Sequence, residues 1–215
     1  FLPLIESLAE FGKPTIISTG LADFALLDKL RTIWRQKSGA AELAFLHCVS
    51  SYPVPPEQAN LGAIHTLQKR YPDLTIGYSD HTIGIEAATC SVAAGARIVE
   101  KHFTLDKQYS DFRDHQLSAD PKDMAALVKA IRQIESMVGS GEKTLQPCEV
   151  AVEVAVRRSI AVKRDIPANH ELVLQDICWV RPGSGKAVGD EKDIVGRRLK
   201  RVMRQGELIQ PEDLI

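Results

Sequence analysis

Two histidines, His81 and His102, each follow a short run of β-forming residues. If those runs are consecutive strands of a parallel sheet, the two imidazoles lie side by side about 4.8 Å apart. Such a pair can hold a divalent cation and leave positions open for substrate oxygens. Taken alone, one hydrogen-bonded core histidine and one surface histidine would look the same, and that plainer assignment is the default. His47 also sits near a strand end, with an alternation phase that could point it into a barrel. His65 lies mid-helix beside Lys69 and Arg70, and His170 lies in the C-terminal region; both read as solvated. Lys13 with the turn Ser18-Thr19-Gly20 suggests an anion site, because a glycine after two hydroxyls at a helix entrance exposes backbone N–H groups. That motif is short enough to occur by chance. Arg197, Arg198, Lys200, Arg201 and Arg204 form a basic cluster, but residues 151–215 balance 12 basic against 10 acidic residues. No aromatic residue interleaves it, so it reads as a solvated or interface face rather than a nucleic-acid site.

The elements that must position these residues are legible as alternating patterns over residues 1–140. Residues 14–19 (PTIIST), 42–48 (ELAFLHC), 74–79 (LTIGYS) and 97–102 (RIVEKH) suit strands buried on both faces. Between them, Leu26, Leu30, Ile33 and Trp34 share one helical face, and Ile85, Ala88, Val92 and Ala93 another. Asp120-Pro121 opens a last helix as N-cap and first residue, with Met124, Leu127, Val128, Ile131, Ile134 and Val138 as its stripe. A further helix over residues 3–11, stopped by Gly12, precedes the first strand. Four βα units imply a parallel sheet. A (β/α)₈ barrel needs eight in about 250 residues, so this is half a barrel. An open doubly wound sheet is the rival, but no GxGxxG turn follows any strand. Polar clusters follow instead: Ser50-Ser51-Tyr52-Pro53, Ser79-Asp80-His81-Thr82 and His102-Phe103-Thr104, besides Ser18-Thr19-Gly20. Barrel enzymes build their sites at these strand ends.

Residues 141–156 carry no clear amphipathic face and read as a linker. Residues 157–215 form a second unit of short strands, expected at 159–162, 171–174, 178–181 and 207–210. Glu171-Leu172-Val173 before Asp176-Ile177 is echoed by Glu207-Leu208-Ile209 before Asp213-Leu214, the second copy being one residue longer. A unit this small buries a marginal core and gains from docking on a partner.

Composition bounds the rest. The 215 residues carry a net charge of −1, with 44% hydrophobic and 26% charged residues, which are globular proportions. Near-neutral charge gives no reason to expect nucleic acid or an anionic membrane as partner. No apolar run approaches the roughly 20 residues of a membrane span. Cys48, Cys90, Cys148 and Cys178 are scattered, with no CxxC pair, which suits a reducing cytoplasm.

The runs Gly12-Lys13-Pro14 with Ser18-Thr19-Gly20, His47-Cys48 with Tyr52-Pro53, Gly77-Tyr78-Ser79-Asp80-His81-Thr82 and Glu100-Lys101-His102-Phe103-Thr104 resemble the sialic acid synthase family. That family includes the legionaminate and pseudaminate synthases. Trp179-Val180-Arg181-Pro182-Gly183 resembles the signature of its antifreeze-like SAF domain. The resemblance spans essentially the whole chain, in order. It implies the C-terminal half of a TIM barrel followed by a small, mostly β SAF domain of β-clip type. The implied reaction condenses phosphoenolpyruvate with an N-acetylmannosamine-type sugar, giving a nine-carbon 2-keto acid and phosphate. The resemblance makes His81 and His102 ligands of Mn²⁺ or Mg²⁺, with Asp80 beside them in the catalytic motif. It assigns Lys13, Ser18, Ser50, Tyr52 and Ser79 to phosphoenolpyruvate and Asp114 to the sugar. Arg181 would reach into the partner subunit's barrel of a domain-swapped homodimer and bind the N-acyl group.

Ser50 stands where the family often has asparagine, and Ser110-Asp111-Phe112-Arg113-Asp114 replaces the usual Pro-Gly-Pro-Asp. The second loop faces the sugar, so the choice of N-acylated hexose is open. The family's first four strands are absent, so the chain is expected to be a fragment, inactive and unstable alone. Two other readings remain: a different phosphoenolpyruvate-condensing barrel, and a non-catalytic module in which the SAF domain binds sugar or a partner.

Overall fold

The computed structural model describes residues 1–215 and divides them into two units, Phe1–Gly141 and Glu142–Ile215. In the first, the order is α1 (Leu2–Phe11), β1 (Thr15–Ser18), α2 (Phe24–Lys37), β2 (Leu43–Cys48), α3 (Gly62–Arg70) and β3 (Thr75–Asp80). There follow α4 (Glu86–Ala93), β4 (Val99–Lys101), α5 (Arg113–Leu117) and α6 (Pro121–Val138). The strands form one sheet in the order β1-β2-β3-β4, all parallel.

Side chains alternate across this sheet with period two. Phe45, Ile76 and Tyr78 point to the helices and share a core with Ile5, Leu27, Leu30, Trp34, Ile64 and Tyr71. Residues of the other parity line the opposite face, which would be the lumen side of a barrel: Ile16 and Ser18 on β1, Cys48 on β2, Ser79 on β3 and Glu100 on β4. Ile16 is 57% exposed there. The faces of the helices differ in detail from the periodic reading. Leu27 rather than Leu26 joins Leu30 and Trp34 in the core, and α4 buries Ala88 and Ser91. The N-cap of α6 is Asp120, whose carboxylate accepts from the Asp123 N–H, but only Leu127 of its stripe is buried. No helix is long and apolar enough to cross a membrane.

In the second unit, 3₁₀ turns at Pro147–Val152 and a short α7 (Glu153–Val156) lead into β5 (Ser159–Val162), which pairs antiparallel with β6 (Ile177–Val180). The segment expected to be a plain linker is therefore partly structured, and Val154 O accepts from the Gly183 N–H. The strands expected at 171–174 and 207–210 are not continuous strands. Each is reduced to an isolated bridge, Glu171 to Arg198 and Leu208 to Ala161.

A pseudo-twofold replaces those ladders. Arg164 Nε donates to Asp176 Oδ1 and Arg201 Nε to Asp213 Oδ1. The Lys163 N–H reaches Asp176 O at 2.7 Å and the Lys200 N–H reaches Asp213 O at 2.8 Å. Asn169 and Gly206, both left-handed, donate to Leu199 O and Val162 O respectively. Ile166 and Met203 exchange hydrogen bonds at the axis. Each pair is separated by the same stretch of chain, so Glu171 corresponds to Leu208 and not to Glu207. The sequence echo is real, but its first segment is one residue out of register. The core repeats the symmetry, with Val162 and Leu199, Leu172 and Ile209, and Ile177 and Leu214 as matched pairs.

Candidate active site

The carboxyl ends of the four strands gather the polar clusters at one edge of the sheet. Because Ser79 pairs with Glu100 in the register, the next lumen-facing residues, His81 and His102, stand beside one another. Their rings lie 5.2 Å apart, centroid to centroid, nearly perpendicular. His81 is buried, and its Nδ1–H donates to Val49 O at 2.9 Å, which leaves Nε2 without a hydrogen-bond partner. The His102 ring makes no hydrogen bond. The Tyr52 ring covers both, 4.1 Å from His81 and 5.7 Å from His102. Burial pushes the Tyr52 phenol up, assisted by Cys48 and Asp114 and opposed by Arg113, so Tyr52 presents a neutral hydroxyl.

No group of three His, Cys, Asp or Glu residues converges into a cation cage. Two imidazoles, each with an unengaged ring nitrogen, suit a cation whose other positions are filled by water and substrate, not a closed structural site. His81 and His102 thus fit the implied divalent metal.

Ser18 and Ser79 come together through a residue that the sequence reasoning did not single out. Ser79 Oγ donates to Glu100 Oε1 at 2.6 Å, and Ser18 Oγ donates to the same oxygen at 3.2 Å. A hydroxyl has one proton to give, so each serine serves an incoming anion only by letting go of Glu100. Parity could have found Glu100, since it lies two residues before His102 on the same strand. Ser50 joins the edge from the loop after β2. A Cβ on Gly20 would come within 2.9 Å of Ser50 Oγ and push that hydroxyl aside, and the φ of +47° at Gly20 is what favours glycine in the turn. Asp114 sits in α5, on the loop over the strand ends, 3.8 Å from Arg113 Nε. The Arg113 guanidinium lies 5.3 Å from the centre of the Tyr52 ring.

Three expectations need correction. Asp80 is not in the lumen: it has the parity of Tyr78, faces the helices, and is fully buried in an ion pair with Lys101 at 2.8 Å. Its other oxygen accepts from the Thr82 N–H, and Lys101 donates to Thr82 O, so the pair braces the turn that carries His81. His47 likewise points away from the barrel, stacking on Tyr78 with Nε2 against Ala59 O. Lys13 precedes β1 and so lies at the opposite edge of the parallel sheet from His81 and His102. Chain direction, which a motif match ignores, separates it from the cluster.

In the second unit Arg181 donates Nε–H to Val156 O at 2.8 Å, which leaves its terminal nitrogens unengaged. The basic cluster is largely neutralised, Arg198 by Glu171, Arg201 by Glu207 and Asp213, and Arg204 by Asp165.

The NeuB family model matches residues 1–143 and the SAF domain model residues 157–215. An uncharacterized protein of Methanocaldococcus jannaschii is 42% identical over all of this chain and 63% of its own length. The N,N'-diacetyllegionaminic acid synthase of Legionella pneumophila is 38% identical over 95% of this chain and 58% of its own. The mouse N-acetylneuraminate-9-phosphate synthase is 34% identical over 99% and 58%. This chain thus spans about three fifths of the length of these relatives. A crystal structure of N-acetylneuraminic acid synthetase from Leptospira borgpetersenii, in complex with citrate, is similar with a TM-score of 0.65 and 39% identity. It covers 69% of this chain and 50% of that one. A putative spore coat polysaccharide biosynthesis protein E from Chromobacterium violaceum superposes over the whole chain and 64% of its own, with a TM-score of 0.74 and 27% identity.

Proposed function

Because the chain belongs to the NeuB family and carries a SAF domain after its barrel region, we propose that the protein joins phosphoenolpyruvate to an N-acylated hexosamine of the mannosamine type. C3 of phosphoenolpyruvate bonds to the aldehyde carbon, water adds to C2, and phosphate departs, leaving a nonulosonic acid. The observation that carries this reading is the His81–His102 pair under Tyr52 at adjacent strand ends.

Each residue has a task that its chemistry suits. His81 and His102 would hold Mn²⁺ or Mg²⁺, which supplies Lewis-acid polarisation of the aldehyde oxygen when bound. Val49 O fixes the His81 ring so that Nε2 faces the lumen. Ser50, with Ser18 and Ser79 once released from Glu100, donates hydroxyl protons to the anions of phosphoenolpyruvate. Strand ends hold the three side chains in place, so the rearrangement is confined to turning the Ser18 and Ser79 hydroxyls away from Glu100. Tyr52 walls the site against water, and Asp114 accepts from sugar hydroxyls. In a homodimer with exchanged SAF domains, the free fork of Arg181 would grip the N-acyl oxygen of a sugar in the partner's barrel.

The test is phosphate release by the full-length protein, given phosphoenolpyruvate and a panel of N-acylated hexosamines, with and without chelator. His81→Ala and His102→Ala should each abolish metal-dependent turnover without lowering the melting temperature by more than a few degrees. Full metal-dependent activity in both variants would remove the basis of the reading.

A further inference from the structure

The loops at the carboxyl edge of the sheet, residues 19–23, 49–61, 81–85 and 102–120, hold only two lysines or arginines, Lys107 and Arg113. Lys107 is paired with Asp123. Lys101, at the end of β4, is locked on Asp80. Arg113 is different. The one carboxylate within 4 Å of it, that of Asp114, lies 3.8 Å from Nε, beyond hydrogen-bond range, and no N–H of the guanidinium is engaged.

The loop that presents Arg113 is anchored at both ends and from beneath. The Ala119 N–H donates to His102 O at 2.8 Å, and the Thr104 N–H donates to Ala119 O at 3.0 Å. Thr104 Oγ1 meets His115 Nδ1 at 2.9 Å, Ser118 Oγ donates to Asp114 O, and Leu117 is buried. The guanidinium rests against one side of the site wall, the Tyr52 ring, and that ring in turn lies 4.1 Å from His81. A charged five-donor fork is therefore held one aromatic ring away from the histidine pair, with its side chain 63% exposed.

From this geometry we infer that Arg113 selects a sugar carrying an anionic substituent, phosphate or carboxylate, at the end remote from its aldehyde. The inference rests on the condensation reading above, which places the aldehyde at His81 and His102. Neutral hydroxyls near the loop have Asp114 as acceptor and do not need a permanent cation. An oxyanion does, because charge-assisted pairs to a planar fork are shorter and stronger than neutral ones.

Isothermal titration of the full-length protein would compare N-acetylmannosamine, its 6-phosphate and the corresponding uronic acid. Anionic sugars should bind about tenfold or more tightly than the neutral one. Arg113→Gln should bring that ratio close to one, Arg113→Lys should keep part of it, and Lys107→Gln should leave it intact. The phosphate and uronate arms show which anion is read. Equal affinities in the unaltered protein would overturn the inference. So would an unchanged ratio in Arg113→Gln, or a loss confined to phosphoenolpyruvate affinity, which would move Arg113 to the other substrate. If anionic sugars bound in an Arg113-dependent way yet no sugar released phosphate, the condensation reading would fall and the selectivity would stand.

Discussion

Lys101→Met is the sharpest available test of how the site is braced. Lys101 and Asp80 meet at 2.8 Å with side chains 2% and 0% exposed, and Lys101 also donates to Thr82 O at 2.9 Å. Methionine keeps the length and most of the packing, so the change removes mainly the charge. Asp80 would then be buried with two neutral donors, the Thr82 N–H at 2.9 Å and the Tyr78 hydroxyl at 3.3 Å. Breaking one side of a buried pair costs about 3–5 kcal/mol, and two remaining donors place this case in the lower half of that range. The orphaned Thr82 carbonyl adds about 1 kcal/mol. The total, about 4–5 kcal/mol, is a large share of the ~5–15 kcal/mol that holds an ordinary domain.

The assay is equilibrium urea unfolding, followed by circular dichroism, of the parent, Lys101→Met, Asp80→Asn and the double variant. Neutralising both partners removes the unpaired charge, so the double variant should lie within about 2 kcal/mol of the parent, far from the sum of the singles. It should also recover turnover, because Asp80 supports the His81 turn and touches no lumen residue. A Lys101→Met variant within about 1 kcal/mol of the parent, or strictly additive singles, would refute the brace. A double variant that is stable but inactive would return Asp80 to catalysis.

Two further outcomes follow from the packing. Asp176 is buried, which alone would raise its pKa, yet hydrogen bonds from His170, the Val173 N–H and Arg164 outweigh that and hold the carboxyl below its ordinary range. A depressed folded-state pKa gives stability that is present above the unfolded value near 3.9 and lost as pH falls through the folded value. Unfolding of the second unit, followed between about pH 5 and pH 2, should therefore lose stability in the parent and change less in Asp176→Asn; parallel curves would contradict the linkage. Gly77→Ala would put a Cβ 2.5 Å from both Ile98 O and Leu46 Cδ2, so it should destabilise the barrel region by about 2–3 kcal/mol in the same urea assay, and a neutral effect would mean that β3 and β4 can separate there.

How much of this was legible in sequence depended on whether the deciding property was local. The four strands and their parallel order were readable because β-branched runs alternate with helical faces and no short hairpin turns intervene. His81 and His102 fell together because both ended their strands, and consecutive strands of a parallel sheet sit side by side. The second unit was less legible because its order comes from paired loops. Asp176 and Asp213 accept from backbone N–H groups and from an arginine in equivalent positions, and no β-propensity encodes that. The repeated Arg and Asp were visible, but their register needed the matched bonds of Asn169 and Gly206.

Parity and direction explain the misplaced residues better than any failure of the motifs. Ser79, His81, Glu100 and His102 share one face because adjacent strands are in register and side chains alternate. Asp80 and Lys101 are the intervening residues, so the alternation that aims the histidines into the lumen also buries this pair behind them. A polar run such as Ser79-Asp80-His81-Thr82 thus carries two layers of function on alternate residues, with a reactive face and a brace behind it. A motif match assigns both layers to chemistry because residue type alone cannot distinguish a charge that meets substrate from one that holds a turn. Lys13 failed for the orthogonal reason: a strand has two ends, and only residues at its carboxyl end enter the cluster. Glu100 was passed over because a carboxylate inside a lysine- and histidine-bearing run looks like a solvated charge until its parity places it between Ser18 and Ser79. Counting residues from a fixed lumen position, rather than reading the motif as a unit, separates Asp80, Lys101 and Glu100, and chain direction separates Lys13.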